Sequence, residues 1–319
     1  MPLVSLDAIK AAAARIAAIA RRTPVIDVSD LAGHPLVLKL EPQQPGGAFK
    51  IRGATNMLLR LPEDARKRGV ITYSSGNHGQ AVALAASRLG VPAVIVMPTT
   101  APAIKVAGVR RWGGEVILEG TTSADRRLRA ETEAARRGLT MVPPFDHEWI
   151  IEGQGTAGLE ILEQVPDVAT VVVPVGGGVL VSGVGAAVRQ TRPDVTLVGV
   201  EPAGAAKMSA SIAAGHPVTL DRTASIADGL MPVRPGDLTF AHVRAFIDRI
   251  VTVDDTAIAR AALWLFHEAK LVVEPSGAAT VAAVLWPSEG SPLVDRTRKT
   301  VAILSGGNVA PETLAALAD

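Results

Sequence analysis

Short apolar runs alternate along the chain with longer stretches whose apolar residues recur every three to four positions. The short runs are rich in β-branched residues and predict strands, whereas the longer spacing is typical of amphipathic helices. This alternation favours an α/β fold with open, mostly parallel twisted sheets and flanking helices. Helices are predicted at residues 6–20, 55–61, 80–89, 103–112 and 123–137, and strands at 36–38, 70–73, 92–98, 115–118, 170–175, 195–200, 249–253 and 300–304.

Composition narrows the class of protein. The 319 residues suffice for two modest domains, and 48% hydrophobic with only 3% aromatic residues predicts an aliphatic core suited to parallel sheets. A formal net charge of +1 gives no sign of a nucleic-acid or membrane partner. The absence of cysteine excludes disulfides, thiolate metal sites and thiol nucleophiles. Without an apolar run of about 18 residues, a soluble cytoplasmic protein is expected.

One lysine stands at a turn between a strand and a helix. The apolar run at 36–38 is followed by prolines, the pair Gly46-Gly47 and then Lys50, where a helix begins. A lysine at such a rim can hold a carbonyl cofactor as a Schiff base and act as a base. Taken alone, Lys50 could equally be an ordinary solvated cation.

The whole run around Lys50 resembles the lysine motif of the fold-type II pyridoxal-phosphate (PLP) enzymes, in particular the threonine/serine dehydratase and serine racemase branch. It departs at Gly46 and Ala48, where that family usually has Thr and Ser. The resemblance covers nearly the whole chain and implies PLP on Lys50, with Phe49 beside it. It also implies a small domain at 69–146, carrying the substrate loop, inserted in a large PLP-binding domain of residues 1–68 and 147–319. The matching positions are Lys39, Glu41, Gln44, Gly47, Phe49, Lys50, Arg52, Gly53 and Ala54.

A second motif, Ser-Ser-Gly-Asn-His-Gly-Gln at 74–80, lies between a strand and a helix. Free N–H groups at a helix N-terminus favour an anion such as a carboxylate, although an isolated motif of this kind is more often a simple helix cap. The resemblance implies that Ser75 is catalytic on the cofactor face opposite Lys50, and that Asn77 lies beside the phenolic oxygen. It makes His78 a structural residue of the turn rather than an acid or base. The implied substrate-binding residues are Ser74, Ser75, Gly76, Asn77 and His78.

Two further glycine-rich turns follow strands. Consecutive glycines at 176–178 expose backbone N–H groups that can cradle a phosphate. The resemblance implies a phosphate loop of Gly176, Gly177, Gly178, Val179 and Leu180. Val179 replaces a fourth glycine; its N–H remains available, but a β-branched residue does not easily take positive φ.

The last of these turns, Ser-Gly-Gly-Asn at 305–308, follows the last predicted strand. The same resemblance implies that Ser305 faces the pyridine nitrogen. A hydroxyl cannot stabilise a pyridinium as a carboxylate would, and this favours β-elimination over transamination.

Other candidates carry less weight. Residues 153–158 spell G-x-G-x-x-G, but no acidic residue follows at the distance a dinucleotide site needs, so NAD is rejected; the family has this segment as a helix start. Glu201 and Ala205 could be ligands of a divalent cation, yet Lys207 stands where relatives have Asp, and no tight Mg²⁺ or Ca²⁺ site is expected. Glu274 and Asp228 are interpreted as cleft-organising or purely structural residues.

The resemblance implies a homodimeric ammonia-lyase that converts a β-hydroxy-α-amino acid, threonine or serine in type, to a 2-oxo acid and ammonia. A serine or other amino-acid racemase shares every motif and remains an alternative. So does a dehydratase specific for 3-hydroxyaspartate or phenylserine. A non-catalytic PLP carrier or amino-acid sensor and an NAD-linked oxidoreductase are less favoured.

Overall fold

The computed structural model describes residues 2–74, 76–101, 103–287 and 294–318. The strands are β1 Val25–Asp27, β2 Leu36–Leu40, β3 Val70–Tyr73, β4 Ala93–Met97, β5 Glu115–Leu118, β6 Thr140–Met141, β7 Thr170–Pro174, β8 Thr196–Pro202, β9 Arg249–Val253 and β10 Thr300–Leu304. The α-helices are α1 Leu6–Ile16, α2 Ser29–Ala32, α3 Lys50–Arg60, α4 Glu63–Arg68, α5 Asn77–Leu89, α6 Ala103–Arg111, α7 Ser123–Arg137, α8 Glu148–Gln164, α9 Val179–Thr191, α10 Lys207–Ala214, α11 Asp237–Phe246, α12 Asp255–His267, α13 Pro275–Leu285 and α14 Pro311–Ala316. Short 3₁₀ helices lie at Glu41–Gln43, Ala203–Ala205 and Asp228–Leu230.

The strands form two sheets. One has six strands in the order β1-β2-β10-β7-β8-β9, and the other has four in the order β5-β4-β3-β6. Among the strands described, only the β1–β2 pair is antiparallel. This confirms the predicted α/β fold. All strands of the smaller sheet lie within residues 69–146, but the domain boundaries themselves stay a prediction.

The centre of the larger sheet is covered on both faces, because every residue of β2, β7 and β10 is buried. In an open parallel sheet, ligands bind beyond the carboxyl ends of the strands. There β2 leads to the lysine turn, β7 to the glycine run at 176–178, and β10 to Ser305. The topology therefore places three of the predicted site segments at one edge.

The glycines at 153–158 are in the middle of α8, so the prediction of a helix start at this segment is wrong. The helix begins at Glu148, where the side chain of His147 caps it. The glycines instead permit close helix packing: a Cβ at Gly155 would lie 2.9 Å from the carbonyl oxygen of Gly183 in α9, and one at Gly153 would collide with the backbone of α3. No described helix has the length and apolar character needed to cross a bilayer.

Candidate active site

The lysine turn is fixed to the turn that follows β10. Gly46 and Gly47 take positive φ angles of 81° and 74°, which side chains such as Thr rarely adopt. A Cβ at Gly47 would also overlap the side chain of Asn308. The next residue, Ala48, forms an antiparallel bridge with Gly306. Paired glycines therefore bring the start of α3 against the Ser305 turn.

Lys50 is the first residue of α3 and is partly buried. Its Nζ donates a hydrogen bond to the carbonyl oxygen of Pro144 at 2.7 Å and lies 5.2 Å from the centre of the Phe49 ring. Desolvation by the surrounding protein lowers the pKa of the Lys50 amine to about 8. A large share of the amine is thus neutral near that pH, as a nucleophile or base must be.

The charged residues of the lysine motif form a buried ion cluster behind the turn. The Arg52 guanidinium, on a side chain 1% exposed, donates to both carboxylate oxygens of Glu41, at 2.7 and 2.8 Å. It also donates to Glu160 at 2.6 and 2.8 Å, and Lys39 donates to the same carboxylate at 2.6 Å. Because Arg52 is two residues from Lys50, this cluster fixes the beginning of α3.

The glycine run after β7 makes an anion cradle. Gly178 takes φ 95° and is the N-cap of α9, while Val179 is the first helical residue. Val179 therefore needs no positive φ, because the positive φ falls one residue earlier, on a glycine. Within the described part of the chain, the N–H groups of residues 176–179 have no hydrogen-bond acceptor. Unpaired N–H groups at a helix N-terminus fit a phosphate.

Ser305 directly follows β10 and is 4% exposed. Its carbonyl accepts a hydrogen bond from the Phe49 N–H at 3.0 Å, which places it beside the lysine turn. Its hydroxyl has no partner among the residues described. A buried hydroxyl at the ends of the strands is available to a ligand that offers a nitrogen or oxygen atom.

The loop before α5 is only partly described, because Ser75 lies outside the described residues. Ser74 follows β3, and its Oγ accepts from the Gly76 N–H at 3.2 Å. Asn77 is the first residue of α5, a helix of 13 residues. The N-terminus of α5 thus faces the loop that the sequence marks for an anionic group.

Asn77 connects this loop to the larger sheet. Its Nδ2 donates to Oε1 of Glu274 at 2.7 Å, and its Oδ1 accepts from Nδ2 of Asn308 at 2.9 Å. Asn308 also donates to the carbonyl oxygen of Gly46 at 2.8 Å. Sequence reasoning missed Asn308, although it ends the Ser-Gly-Gly-Asn turn that was singled out for Ser305.

Three ionisable groups meet at the same edge. Glu274 is 5% exposed, and burial, followed by the nearby charge of Asp228, raises its pKa to about 8. Asp228 pairs with Lys105 of α6 at 2.5 Å, so a bridge joins the helix next to the small sheet to the Asp228–Leu230 turn. Lys105 was also missed, since a lysine in an amphipathic helix carries no sequence signal.

His78 lies inside α5 and is 3% exposed. Its Nε2 lies 3.1 Å from the carbonyl oxygen of Val142, an acceptor, so the ring proton belongs on Nε2. Burial, reinforced by Lys50, lowers the pKa of His78 to about 3. A neutral ring bound to the backbone suits a structural contact better than proton transfer.

The suggested cation position is filled by an ammonium group. Nζ of Lys207, which is fully buried, lies 2.9 Å from the Val175 carbonyl oxygen and 3.0 Å from those of Ala205 and Leu230. Oε1 of Glu201 lies 3.1 Å away. Among the described residues, no group of three or more His, Cys, Asp or Glu side chains could hold a metal ion.

These parts fit one kind of ligand. The N–H cradle suits a phosphate, the Lys50 amine suits an aldehyde, and the Ser305 hydroxyl suits a ring nitrogen. A phosphorylated pyridine aldehyde carries all three groups.

Comparison with known proteins identifies the family. Residues 16–306 match the family described as "Pyridoxal-phosphate dependent enzyme". The chain is 41% identical over 310 residues to the L-threonine ammonia-lyase of Thermotoga maritima, covering 96% of this chain and 76% of the relative. It is 42% identical over 308 residues to the serine racemase of Oryza sativa subsp. indica, covering 95% and 91%.

Solved structures agree with this relationship. Maize serine racemase superposes with a TM-score of 0.94 at 40% identity, over 99% of this chain and 97% of that one. The processed threonine deaminase isoform 2 of Solanum lycopersicum gives 0.91 at 38% identity, over 98% and 92%. The resemblance first noted around Lys50 is thereby confirmed, and the chain belongs to the pyridoxal-phosphate-dependent enzymes of fold-type II.

Proposed function

We propose that this protein is an ammonia-lyase that converts a β-hydroxy-α-amino acid, threonine or serine in type, into a 2-oxo acid and ammonia. The observation that carries the proposal is the Lys50 amine, with its pKa near 8, at the start of α3 beside the Ser305 turn. The related threonine ammonia-lyase and threonine deaminase support the reaction class.

Four segments would hold PLP. Its aldehyde would be carried by Lys50, next to Phe49, and its phosphate would accept from the N–H groups of the cradle. The Ser305 hydroxyl would face the pyridine nitrogen, and Asn77 would lie beside the phenolic oxygen. The cradle residues are Gly176, Gly177, Gly178, Val179 and Leu180.

The substrate's carboxylate binds at the N-terminus of α5, where free N–H groups and the helix dipole favour an anion. The residues assigned to it are Ser74, Ser75, Gly76 and Asn77, with His78 supporting the loop from inside the helix. Glu274 holds the Asn77 amide, so the loop keeps one orientation.

Lys50 then moves the proton. Bound PLP supplies electron withdrawal, which makes the α-hydrogen of the amino acid acidic. The freed Nζ of Lys50 takes that proton, aided by its low pKa and its proximity. The carbonyl oxygen of Pro144, now 2.7 Å away, is placed to accept from the ammonium that results. The β-hydroxyl leaves together with one proton as water, and a second water molecule converts the resulting enamine to the 2-oxo acid and ammonia.

A racemase is the second candidate, because serine racemases are as similar to this chain as the threonine enzymes are. In that case Ser75 returns a proton to the face opposite Lys50. Ser75→Ala would then abolish exchange between enantiomers and leave elimination intact.

We also propose that no divalent cation binds beside Glu201, because the Lys207 ammonium already occupies the oxygen atoms there. Titration of Mg²⁺ into metal-stripped enzyme should leave the rate unchanged. Strong activation would contradict this assignment.

The oligomeric state and location complete the proposal: a homodimer, as the family resemblance implies, located in the cytoplasm. Light scattering coupled to size-exclusion chromatography measures the first, and cell fractionation the second.

The test of function is a panel of threonine, serine, 3-hydroxyaspartate and phenylserine, read by 2-oxo acid release and by a coupled assay for the D-enantiomers. The lyase predicts 2-oxo acid from threonine or serine. A yellow protein that releases no 2-oxo acid from any member contradicts it.

A further inference from the structure

Two buried side chains donate hydrogen bonds to backbone carbonyl oxygens at the glycine run, and neither belongs to the run itself. Nζ of Lys207 donates to the carbonyl oxygen of Val175 at 2.9 Å, directly before the run. Oγ1 of Thr239, in the first turn of α11, donates to the carbonyl oxygen of Gly177 at 2.7 Å. Both side chains are fully buried.

Each of these hydrogen bonds fixes the direction of the N–H group that belongs to the same peptide as the accepting carbonyl. In a trans peptide the C=O and N–H bonds point in opposite directions, and the peptides of the glycine run are trans. A carbonyl of Val175 that points to Lys207 directs the Gly176 N–H away from it. A carbonyl of Gly177 that points to Thr239 likewise directs the Gly178 N–H away from α11.

Glycine peptides need such support. Three consecutive glycines have more backbone freedom than any other tripeptide, and an unsupported peptide can rotate and present its carbonyl instead of its N–H. A carbonyl oxygen would repel a phosphate. The loop itself offers no side chain to prevent this, so the support has to come from elsewhere in the fold.

We propose that Lys207 and Thr239 are positioning residues that preset alternate peptides of the phosphate cradle, so that the N–H groups of Gly176 and Gly178 face the phosphate before it binds. The inference rests on the proposed role of residues 176–180 in binding PLP. Neither side chain needs to touch the cofactor, since each acts through a backbone carbonyl.

Thr239 is itself held by the segment that passes Lys50. The carboxylate of Asp146 accepts from the N–H groups of Asp237, Leu238 and Thr239 at 3.0 to 3.1 Å and so caps α11. Its neighbour Phe145 leaves no room for a side chain at Gly177. The cradle is therefore packed on both sides of its central glycine.

When Lys207 is changed, Glu201 loses its cation but keeps three hydrogen-bond donors. Glu201 also accepts from the backbone N–H groups of Met208 and Ser209, each at 2.9 Å, and from the Ser209 hydroxyl. Lys207→Met keeps much of the side-chain volume and removes the donor. It is thus a usable second variant beside Thr239→Val.

The matched control is Thr280→Val. Thr280 is as buried as Thr239 and also donates its hydroxyl to a backbone carbonyl, that of Ile303 at 3.0 Å, in β10 rather than in the glycine run. Thr239→Ser restores the donor and should restore the wild-type result. Unfolding temperature is measured for every variant to separate local from global effects.

The experiment measures the dissociation constant of PLP and the ³¹P resonance of its phosphate in each holoenzyme. Loss of one hydrogen bond should weaken PLP binding about tenfold in Thr239→Val and in Lys207→Met, and shift the resonance. Thr280→Val should lower the unfolding temperature but leave PLP affinity and the resonance unchanged.

Unchanged PLP affinity in both variants, or equal weakening in Thr280→Val, would overturn the assignment. The readouts do not depend on the reaction catalysed. A wild-type enzyme that binds PLP but releases no 2-oxo acid refutes the lyase alone, and the affinity comparison still decides the roles of Lys207 and Thr239.

Discussion

The side-chain amide of Asn77 donates a hydrogen bond to the buried carboxyl of Glu274, and so joins the first residue of α5 to the N-cap of α13. Burial raises the pKa of Glu274 to about 8, hence the carboxyl carries a proton at neutral pH. The Oδ1 atom of Asn77 accepts a hydrogen bond from Asn308, and its Nδ2 atom donates to Glu274. The relationship thus links the smaller sheet to the larger one through a neutral acid.

Glu274→Gln should become more stable relative to wild type as the pH rises. The folded-state pKa lies above the usual value, so the proton on Glu274 stabilises the wild-type fold at low pH, and that stability is lost between about pH 4.5 and pH 8. The glutamine does not titrate and escapes this loss. The difference in unfolding temperature, measured on cofactor-free protein from pH 5 to pH 8.5, checks it.

The control for that series is Glu268→Gln, because Glu268 is exposed on the surface after α12. The difference in unfolding temperature between Glu268→Gln and wild type should vary less with pH. A Glu274→Gln difference that stays flat across the range would contradict a raised pKa at Glu274.

Substituting Lys105 or Asp228 should shift, in opposite directions, the pH range over which the Glu274 proton is lost and its stabilising effect disappears. Asp228 raises the pKa of Glu274 and Lys105 lowers it, each through its charge. Asp228→Asn should therefore shift the transition to lower pH, and Lys105→Met to higher pH. The measurement is the pH series above, repeated in each background; shifts of the same sign would argue against direct charge effects.

The pH dependence of cofactor loading should report the Lys50 amine. Only the neutral amine attacks an aldehyde, and desolvation lowers the pKa of Lys50 to about 8. Reconstitution of cofactor-free enzyme with PLP should accelerate about tenfold per pH unit below pH 8 and level off above it. Stopped-flow absorbance measures this rate, and continued acceleration up to pH 10 would show an ordinary lysine.

The buried ion cluster should be a main source of stability at the lysine turn. Arg52→Met leaves Glu41 buried without its partner and should cost about 3–5 kcal/mol in the free energy of unfolding. Arg127→Met removes an exposed bridge to Glu131 and should cost less than about 1 kcal/mol. Urea unfolding compares the two; equal losses would mean that burial of the Arg52 cluster adds nothing.

Much of the fold could be predicted because its strands are short apolar runs between clear turns. The strands β3, β5, β9 and β10 lie where the pattern predicted them. By contrast, β1 and β6 have three and two residues, too few for periodicity to appear. The helix after the lysine turn begins at Lys50, where the sequence predicted a helix start after the glycine pair, and its buried face includes Arg52 although arginine reads as polar.

The site was predictable only where its chemistry depends on a backbone pattern or a motif. Glycine runs mark the cradle and the lysine turn, since no other residue fits there. Asn308, Lys105 and Thr239 act through contacts across the fold, and nothing in their local sequence indicates a partner more than 60 residues away. Buried donors to distant carbonyls become visible only in three dimensions.

The most direct test of the account is to reduce the purified holoenzyme with borohydride, digest it and map the pyridoxyl group by mass spectrometry. The group should be found on the Nζ atom of Lys50, and Lys50→Ala should lose the label together with the yellow colour. A label on another lysine, or a protein without any label, would contradict the central claim that Lys50 carries the cofactor.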